Sequence, residues 1–218
     1  MRFESFSFCP EILRAISDCG YQKMTPIQQQ AIPAIRRGQD VLASAQTGTG
    51  KTAAFALPIL QKMVENPSET LKSNTRVLIL TPTRELAAQV AENVEAYSKY
   101  LNFSVLTIYG GVKVETQAQK LKRGADIIVA TPGRLLEHLT ACNLSLSSVD
   151  FLVLDEADRM LDMGFSADIQ KILQAVNKKR QNLLFSATFS SAVKKLANEM
   201  MVKPQVISAD KQNTTADT

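Results

Sequence analysis

From Asp40 onward, short runs of aliphatic and β-branched residues alternate with longer stretches in which apolar residues recur every three to four positions. The runs predict strands at Asp40–Ala45, Arg76–Thr81, Ser104–Tyr109, Asp126–Thr131, Phe151–Asp155, Asn182–Ser186 and Gln205–Ser208. Several are apolar along most of their length instead of alternating, as expected of parallel strands covered on both faces. Between them, Leu86, Val90, Val94 and Leu101 keep close to one helical face. Ile169, Ile172, Leu173 and Val176 follow the i, i+3, i+4, i+7 spacing of an amphipathic helix. The alternation predicts an α/β fold with a mainly parallel sheet of about seven strands and helices on both faces.

The first residues follow another pattern. A helix is predicted from Pro10 to Cys19, opened by proline and stopped by Gly20, and a second from Ile27 to Arg37, closed by Gly38. The polar stretch Glu65–Thr75, with Pro67, predicts a surface loop, and the aperiodic tail Ala209–Thr218 a linker. The expected organisation is an N-terminal helical prefix over 1–37, an α/β domain over 38–208 and a linker over 209–218.

A chain of 218 residues with 45% hydrophobic and 21% charged positions suffices for one folded domain. Its longest apolar runs, Val77–Leu80 and Ile127–Ala130 among them, fall far short of the ~20 residues a membrane span needs. The N-terminus shows no apolar signal region, so no membrane contact and a cytoplasmic location are expected. Cys9, Cys19 and Cys142, without a CxxC pair, suit a reducing compartment. The single histidine, His138, argues against a His-rich zinc site, and with Met160 and Met163 it is assigned to packing or surface. A net charge of +4 tilts the chain only mildly toward anionic partners, and solvated lysines account best for Lys120–Arg123 and Lys178-Lys179-Arg180.

The chemistry is concentrated where strands end. Ala45-Gln46-Thr47-Gly48-Thr49-Gly50-Lys51-Thr52 follows one predicted strand and opens a helix, the setting of a phosphate-binding loop. Glycines turn backbone N–H groups inward, Lys51 can neutralise phosphate oxygens, and the Thr52 hydroxyl can bind magnesium. Ala45 stands where the generic pattern has glycine; the alternative is an ordinary strand–helix turn. Asp155-Glu156-Ala157-Asp158 follows the run Phe151–Leu154. Asp155 is placed to hold Mg2+ and Glu156 to orient and deprotonate the water that attacks a γ-phosphate. Taken alone, the same four residues are an acidic helix start.

These motifs in this order resemble the first RecA-like domain of the DEAD-box ATP-dependent RNA helicases, over residues 3 to 208, and within them the bacterial RhlE-like group. Gly20-Tyr21-Gln22-Lys23-Met24-Thr25-Pro26-Ile27-Gln28 resembles the family's Q motif, with Met24 in place of its usual proline and Phe3 at the upstream aromatic position. The resemblance implies that Tyr21 stacks on adenine and Gln28 hydrogen-bonds its N6/N7 edge. A side-chain amide, donor and acceptor at once, suits adenine. Read locally, Tyr21 packs between helices and Gln28 is a surface residue.

Pro82-Thr83-Arg84, Gly110-Gly111 and Thr131-Pro132-Gly133-Arg134 resemble the family's RNA-backbone motifs. Each follows a predicted strand, so all would line one sheet edge. Taken singly, each is a plain turn. None offers a set of base-reading side chains, so sequence-independent binding is expected. Ser186-Ala187-Thr188 resembles the motif that couples nucleotide state to strand separation, its hydroxyls toward Asp158; otherwise it is a helix cap. The resemblance implies ATP as substrate, Mg2+ as cofactor and RNA as partner. It also implies a second RecA-like domain carrying the arginine fingers, absent from these 218 residues, so that this portion alone hydrolyses ATP poorly. No oligomer is indicated. A nucleotide-switched RNA clamp with little turnover is the alternative, and a DNA-directed helicase is less favoured.

Overall fold

The computed structural model describes residues 1–67 and 75–208. Seven strands are formed: β1 (Val41–Ser44), β2 (Val77–Leu80), β3 (Val105–Ile108), β4 (Ile127–Ala130), β5 (Phe151–Leu154), β6 (Gln181–Ser186) and β7 (Gln205–Ser208). They pair into one sheet in the order β3-β4-β2-β5-β6-β1-β7, and every pairing is parallel. The register aligns the strand ends that matter. Ala130, Leu80, Leu154 and Leu184 lie abreast, so the loops after β4, β2, β5 and β6 leave from one edge.

Alternate strand residues enter two separate cores. Val41, Ala43, Val77, Ile79, Ile127, Val129, Val153, Leu183 and Phe185 pack against α1 (Pro10–Asp18), α2 (Pro26–Arg36), α3 (Lys51–Glu65) and α4 (Arg84–Tyr97). Leu42, Leu78, Leu80, Ile128, Leu152, Leu154 and Leu184 face the other way. There they meet α5 (Val114–Leu121), α6 (Pro132–Thr140), α7 (Ala157–Asp162), α8 (Ser166–Ala175) and α9 (Ser191–Met200). Continuous apolar strands are thus explained by helices on both faces.

The structure corrects several details. Strand ends move inward by about one residue, because the outermost positions belong to turns; β6 instead starts earlier, at Gln181, whose side-chain amide bonds the carbonyls of Ile35 and Gln39. The helix carrying Leu86, Val90 and Val94 ends at Tyr97, leaving Leu101 in the following turn, and Val176 caps α8. Residues 68–74 of the expected loop and the expected linker 209–218 lie outside the described residues. At the loop's margins, Glu65 ends α3, and Thr75 is buried with its hydroxyl on the Ala125 carbonyl, not exposed. The prefix contributes Phe3, Phe8, Ile12, Ile16, Ile27 and Ile32 to the same core as β1 and α3.

Candidate active site

The glycine-rich turn joins β1 to α3, as its sequence requires. Gly48 (φ 82°) and Gly50 (φ 86°) take left-handed conformations that turn the backbone into the helix. A β-carbon on Gly50 would overlap Gln28 Nε2, so this position is closed to other residues twice over, by φ and by space. No side chain caps the first turn of α3, whose free N–H groups and dipole suit an anion. Ala45, at the place of the generic first glycine, is fully buried, its N–H donated to the Ser186 carbonyl at 3.0 Å. Thr49 donates its hydroxyl to the Gln46 carbonyl at 2.7 Å, stiffening the turn.

Lys51 and Asp155 meet across the intervening end of β6, Nζ to Oδ1 3.9 Å, with side chains only 6% and 4% exposed. Neither atom has a hydrogen-bond partner. Burial raises the Asp155 carboxyl to about 6, with Lys51 opposing and the nearby Glu156 and Asp158 charges adding to the rise. Two desolvated ionic groups with unused hydrogen-bonding capacity form a costly arrangement, one a bound ligand would complete. Among the described residues, no group of three or more His, Cys, Asp or Glu side chains could hold a metal alone. Asp155 and the Thr52 hydroxyl instead suit a magnesium ion that arrives with phosphate oxygens and keeps its waters.

Glu156 follows in a left-handed conformation (φ 54°, ψ 52°), rare for a residue with a side chain. It turns the carboxylate back toward the glycine-rich turn, where Oε1 accepts from the Thr47 hydroxyl at 3.2 Å and Oε2 lies 3.3 Å from Arg159 Nη1. Asp158 accepts at Oδ2 from the Thr188 N–H (3.0 Å) and hydroxyl (3.1 Å). Ser186 takes no part in that contact; its hydroxyl lies 3.4 Å from the Thr188 N–H. The sequence Ser186-Ala187-Thr188 therefore ties the acidic segment to β1, since Ser44 also donates to the Ala187 carbonyl.

Gln28 is buried, which sets aside the purely local reading of it as a surface residue. Its Oε1 accepts from the Thr25 N–H at 3.0 Å and its Nε2 donates to the Gly50 carbonyl at 3.1 Å. Tyr21 is 39% exposed, stacks on buried Phe3 at 6.3 Å between centroids, and shares a 3.0 Å hydrogen bond with Tyr97 Oη. A cavity of about 400 Å³ lined by Phe3, Gly20, Tyr21 and Lys23 opens beside this pair; none of residues 45–52 line it.

At the other half of the sheet edge, Thr83 caps α4 by accepting from the Leu86 N–H, and Pro82 is buried beneath it. Arg84 is exposed, with its guanidinium 5.4 Å from the Tyr109 ring centre and close against Gly111. Gly110 and Gly111 are exposed, and Thr131 and Gly133 half-exposed around buried Pro132. Arg134 departs from the expectation of a phosphate contact. Its side chain is 11% exposed, donates to the Val112 carbonyl (2.6 Å) and Gln117 Oε1 (3.1 Å), and lies against Glu137.

The family profile described as DEAD/DEAH box helicase matches residues 25–196. The chain belongs to this family. It is 45% identical over 216 residues to the ATP-dependent RNA helicase DeaD of Mycobacterium tuberculosis, covering 99% of this chain and 38% of that protein. It is 43% identical over 222 residues to the ATP-dependent RNA helicase RhlB of Pseudomonas aeruginosa, covering 100% and 56%. The crystal structure of a DEAD box protein from Methanococcus jannaschii superposes with a TM-score of 0.89 at 41% identity, over 96% of this chain and 56% of that one. The chain thus spans between about a third and about a half of these relatives. Its fold is the RecA-like α/β fold of the DEAD-box domain.

Within this DEAD/DEAH box chain, sequence reasoning passed over Gln117 and gave His138 no role beyond packing or surface. Both are buried, and they bond each other, Gln117 Oε1 to His138 Nε2, at 3.1 Å. The signal was available: a glutamine occupies the apolar stripe of α5 between Val114 and Leu121. Met160 is buried as expected, Met163 about half exposed, and Arg180 is half-buried, held by Asn182 and the Asn177 carbonyl. No helix among the described residues is long and apolar enough to cross a membrane.

Proposed function

We propose that this chain is the ATP-binding portion of an RNA helicase, taking adenine nucleotide with Mg2+ at the β1, β5 and β6 ends and the RNA backbone at the β2, β3 and β4 ends. The buried, unpartnered Lys51–Asp155 pair at the mouth of the glycine-rich turn carries this reading. An ordinary strand–helix turn has no reason to desolvate two charges there.

The residues divide the work. Residues 46–50 and the start of α3 bind phosphate through N–H groups, with Ala45 anchoring the turn to β6, and Lys51 neutralises the outer oxygens. Thr52 and Asp155 would hold Mg2+, which neutralises phosphate charge when bound. Glu156 aligns the attacking water and takes its proton as the oxygen bonds to the γ-phosphorus and the bond to the leaving diphosphate breaks. Thr47 and Arg159 keep that carboxylate in place. Tyr21, backed by Phe3, offers a face to adenine, and Gln28 reads the base edge by exchanging one of its present partners. Pro82, Thr83, Arg84, Gly110, Gly111, Thr131, Pro132 and Gly133 supply small residues, a cation, hydroxyls and helix starts, a set that grips sugar and phosphate without reading bases. Asp158 and Thr188, with Ser186 behind them, would carry a change at the acidic segment into the end of β6.

Titrating ADP and GDP into the protein tests the nucleotide assignment. ADP should bind at least tenfold more tightly, the cost of losing about 1–3 kcal/mol of amide–base pairing, and Gln28→Ala should erase the difference. Equal affinities would overturn the adenine site. Phosphate release that does not respond to added RNA in the two-domain protein would overturn the helicase reading.

A further inference from the structure

The glycine pair after β3 is held from below by a chain of buried polar side chains. Gln117 Nε2 donates to the Tyr109 carbonyl at 3.0 Å, immediately before Gly110, and Arg134 Nη1 donates to the Val112 carbonyl, immediately after Gly111. The two clamps are joined, because Gln117 Oε1 accepts from Arg134 Nη1 at 3.1 Å. The same oxygen lies 3.1 Å from His138 Nε2, and Asn143 Nδ2 lies 3.0 Å from His138 Nδ1.

These contacts admit one assignment. An amide nitrogen must face the Tyr109 carbonyl, so the Gln117 oxygen faces His138, and His138 must carry its proton on Nε2. Nδ1 is then the acceptor for the Asn143 amide. Gln117 is 4% exposed and His138 fully buried, so water is kept from the bond between them, and an unmet polar atom on either side chain would carry a desolvation cost. Above the pair, the exposed Arg84 guanidinium lies beside Gly111 and over the Tyr109 ring.

We infer that Gln117, oriented by His138 and Asn143, is a positioning residue that sets the glycine pair at the height where its backbone meets RNA phosphates, and that Arg134 serves the same purpose from inside. This rests on the reading of the β2–β4 edge as the RNA surface.

The test compares Gln117→Met, which keeps the volume and removes all three side-chain hydrogen bonds, to the Tyr109 carbonyl, Arg134 and His138, with the pair His138→Gln and His138→Leu. Three measurements are made on each at low salt: affinity for a fluorescent single-stranded oligoribonucleotide, affinity for ADP, and amide hydrogen exchange at residues 110–112. Gln117→Met is expected to weaken RNA binding about tenfold, as loss of these buried hydrogen bonds would, and to speed exchange at the glycine pair, with ADP affinity within about twofold. His138→Gln, which retains a donor, should bind RNA like the parent, whereas His138→Leu should follow Gln117→Met. In the parent, the His138 ring should give the nitrogen NMR signature of the Nε2–H tautomer.

Unchanged exchange in Gln117→Met, or equal behaviour of the two His138 variants, would overturn the positioning role. Arg84→Ala separates the underlying reading: if it binds RNA as tightly as the parent, the edge is not the RNA surface, while exchange at 110–112 still decides what Gln117 does.

Discussion

Glu156 sits in the left-handed region with its carboxylate between Thr47 and Arg159, a backbone choice that costs roughly 1–2 kcal/mol for a non-glycine residue. Strain of this kind persists where the surroundings require it, and here it aims a carboxylate at the glycine-rich turn, against Thr47. Glu156→Gln keeps the shape and both contacts in altered form, so ADP binding should stay near the parent value. Phosphate release from a longer chain that carries the proposed second domain should fall by about 10²–10⁴-fold, the usual worth of a positioned base; retained turnover would show that another group handles the water. Gly50 offers a second check. Gly50→Ala forces a β-carbon into Gln28 Nε2 at a positive φ, so ADP affinity should drop sharply, and the double variant with Gln28→Ala should recover part of the loss. Titration of the single and double variants measures that coupling. His138 gives a pH signature. Burial first, then the Arg134 charge, hold its pKa below the ordinary 6.5, with Glu137 opposing. Between the folded value and 6.5 the unfolded chain binds more protons than the folded one, so stability falls as pH drops through that window. Urea unfolding of the parent and His138→Gln at pH 7.5 and 5.5 isolates this contribution, since the raised Asp155 carboxyl pulls stability the other way in both: on going to pH 5.5 the parent should lose more, or gain less, stability than His138→Gln.

At the scale of elements, α2 decides whether the N-terminal prefix is an appendage or part of the domain. It opens with Thr25 and Gln28 in a reciprocal capping box, which accounts for its start at Pro26, and runs through Pro33 to Arg36. Ile27, Ala31, Ile32 and Ile35 are fully buried against the sheet and α3. Ile32→Ala should therefore destabilise the whole chain by about 2–5 kcal/mol, the cost of emptying a closed core site. Thermal unfolding would report this as one cooperative transition shifted by roughly 2–4 °C per kcal/mol. An early separate transition, with the main one unmoved, would mean that the prefix folds apart. The capping box also explains why Gln28 is buried: the side chain that starts the helix reaches the phosphate turn.

Across the whole molecule, the parallel sheet gathers the loops after β1 to β6 onto one edge, where the proposed nucleotide and RNA sites would adjoin. Stabilising a transferring phosphoryl group commonly takes an arginine finger worth about 10³–10⁵ in rate, and Arg159 is already paired to Glu156. These 218 residues alone should then bind ADP, release phosphate from ATP slowly and leave an RNA duplex intact. Their RNA affinity should be weak and fall steeply between 50 and 200 mM salt, as expected when phosphate contacts dominate. A phosphate-release assay with RNA and Mg2+, beside a salt series of RNA binding, checks both. Turnover matching a two-domain relative would mean that a group within this chain, or a second copy, does the work assigned to the finger.

The amino-acid sequence by itself determined the strand and helix sequence, the parallel sheet and the order of the phosphate, acidic and RNA-type motifs. These depend on local periodicity and on glycines, prolines and carboxylates at short spacing, all of which a linear pattern retains. Tertiary structure decided which of those side chains face a ligand. Arg134 belongs to a motif that looks like a phosphate contact, yet it turns inward because the Val112 carbonyl, Gln117 Oε1 and Glu137 hold it. The burial of Gln28 and of His138 was not legible in the sequence because burial depends on neighbours far along the chain: Gly50 for one, and Gln117 from another helix for the other. Strand order decided the rest, since β6 lies between β1 and β5 and sets Lys51 3.9 Å from an Asp155 more than a hundred residues away, and no periodicity encodes that distance.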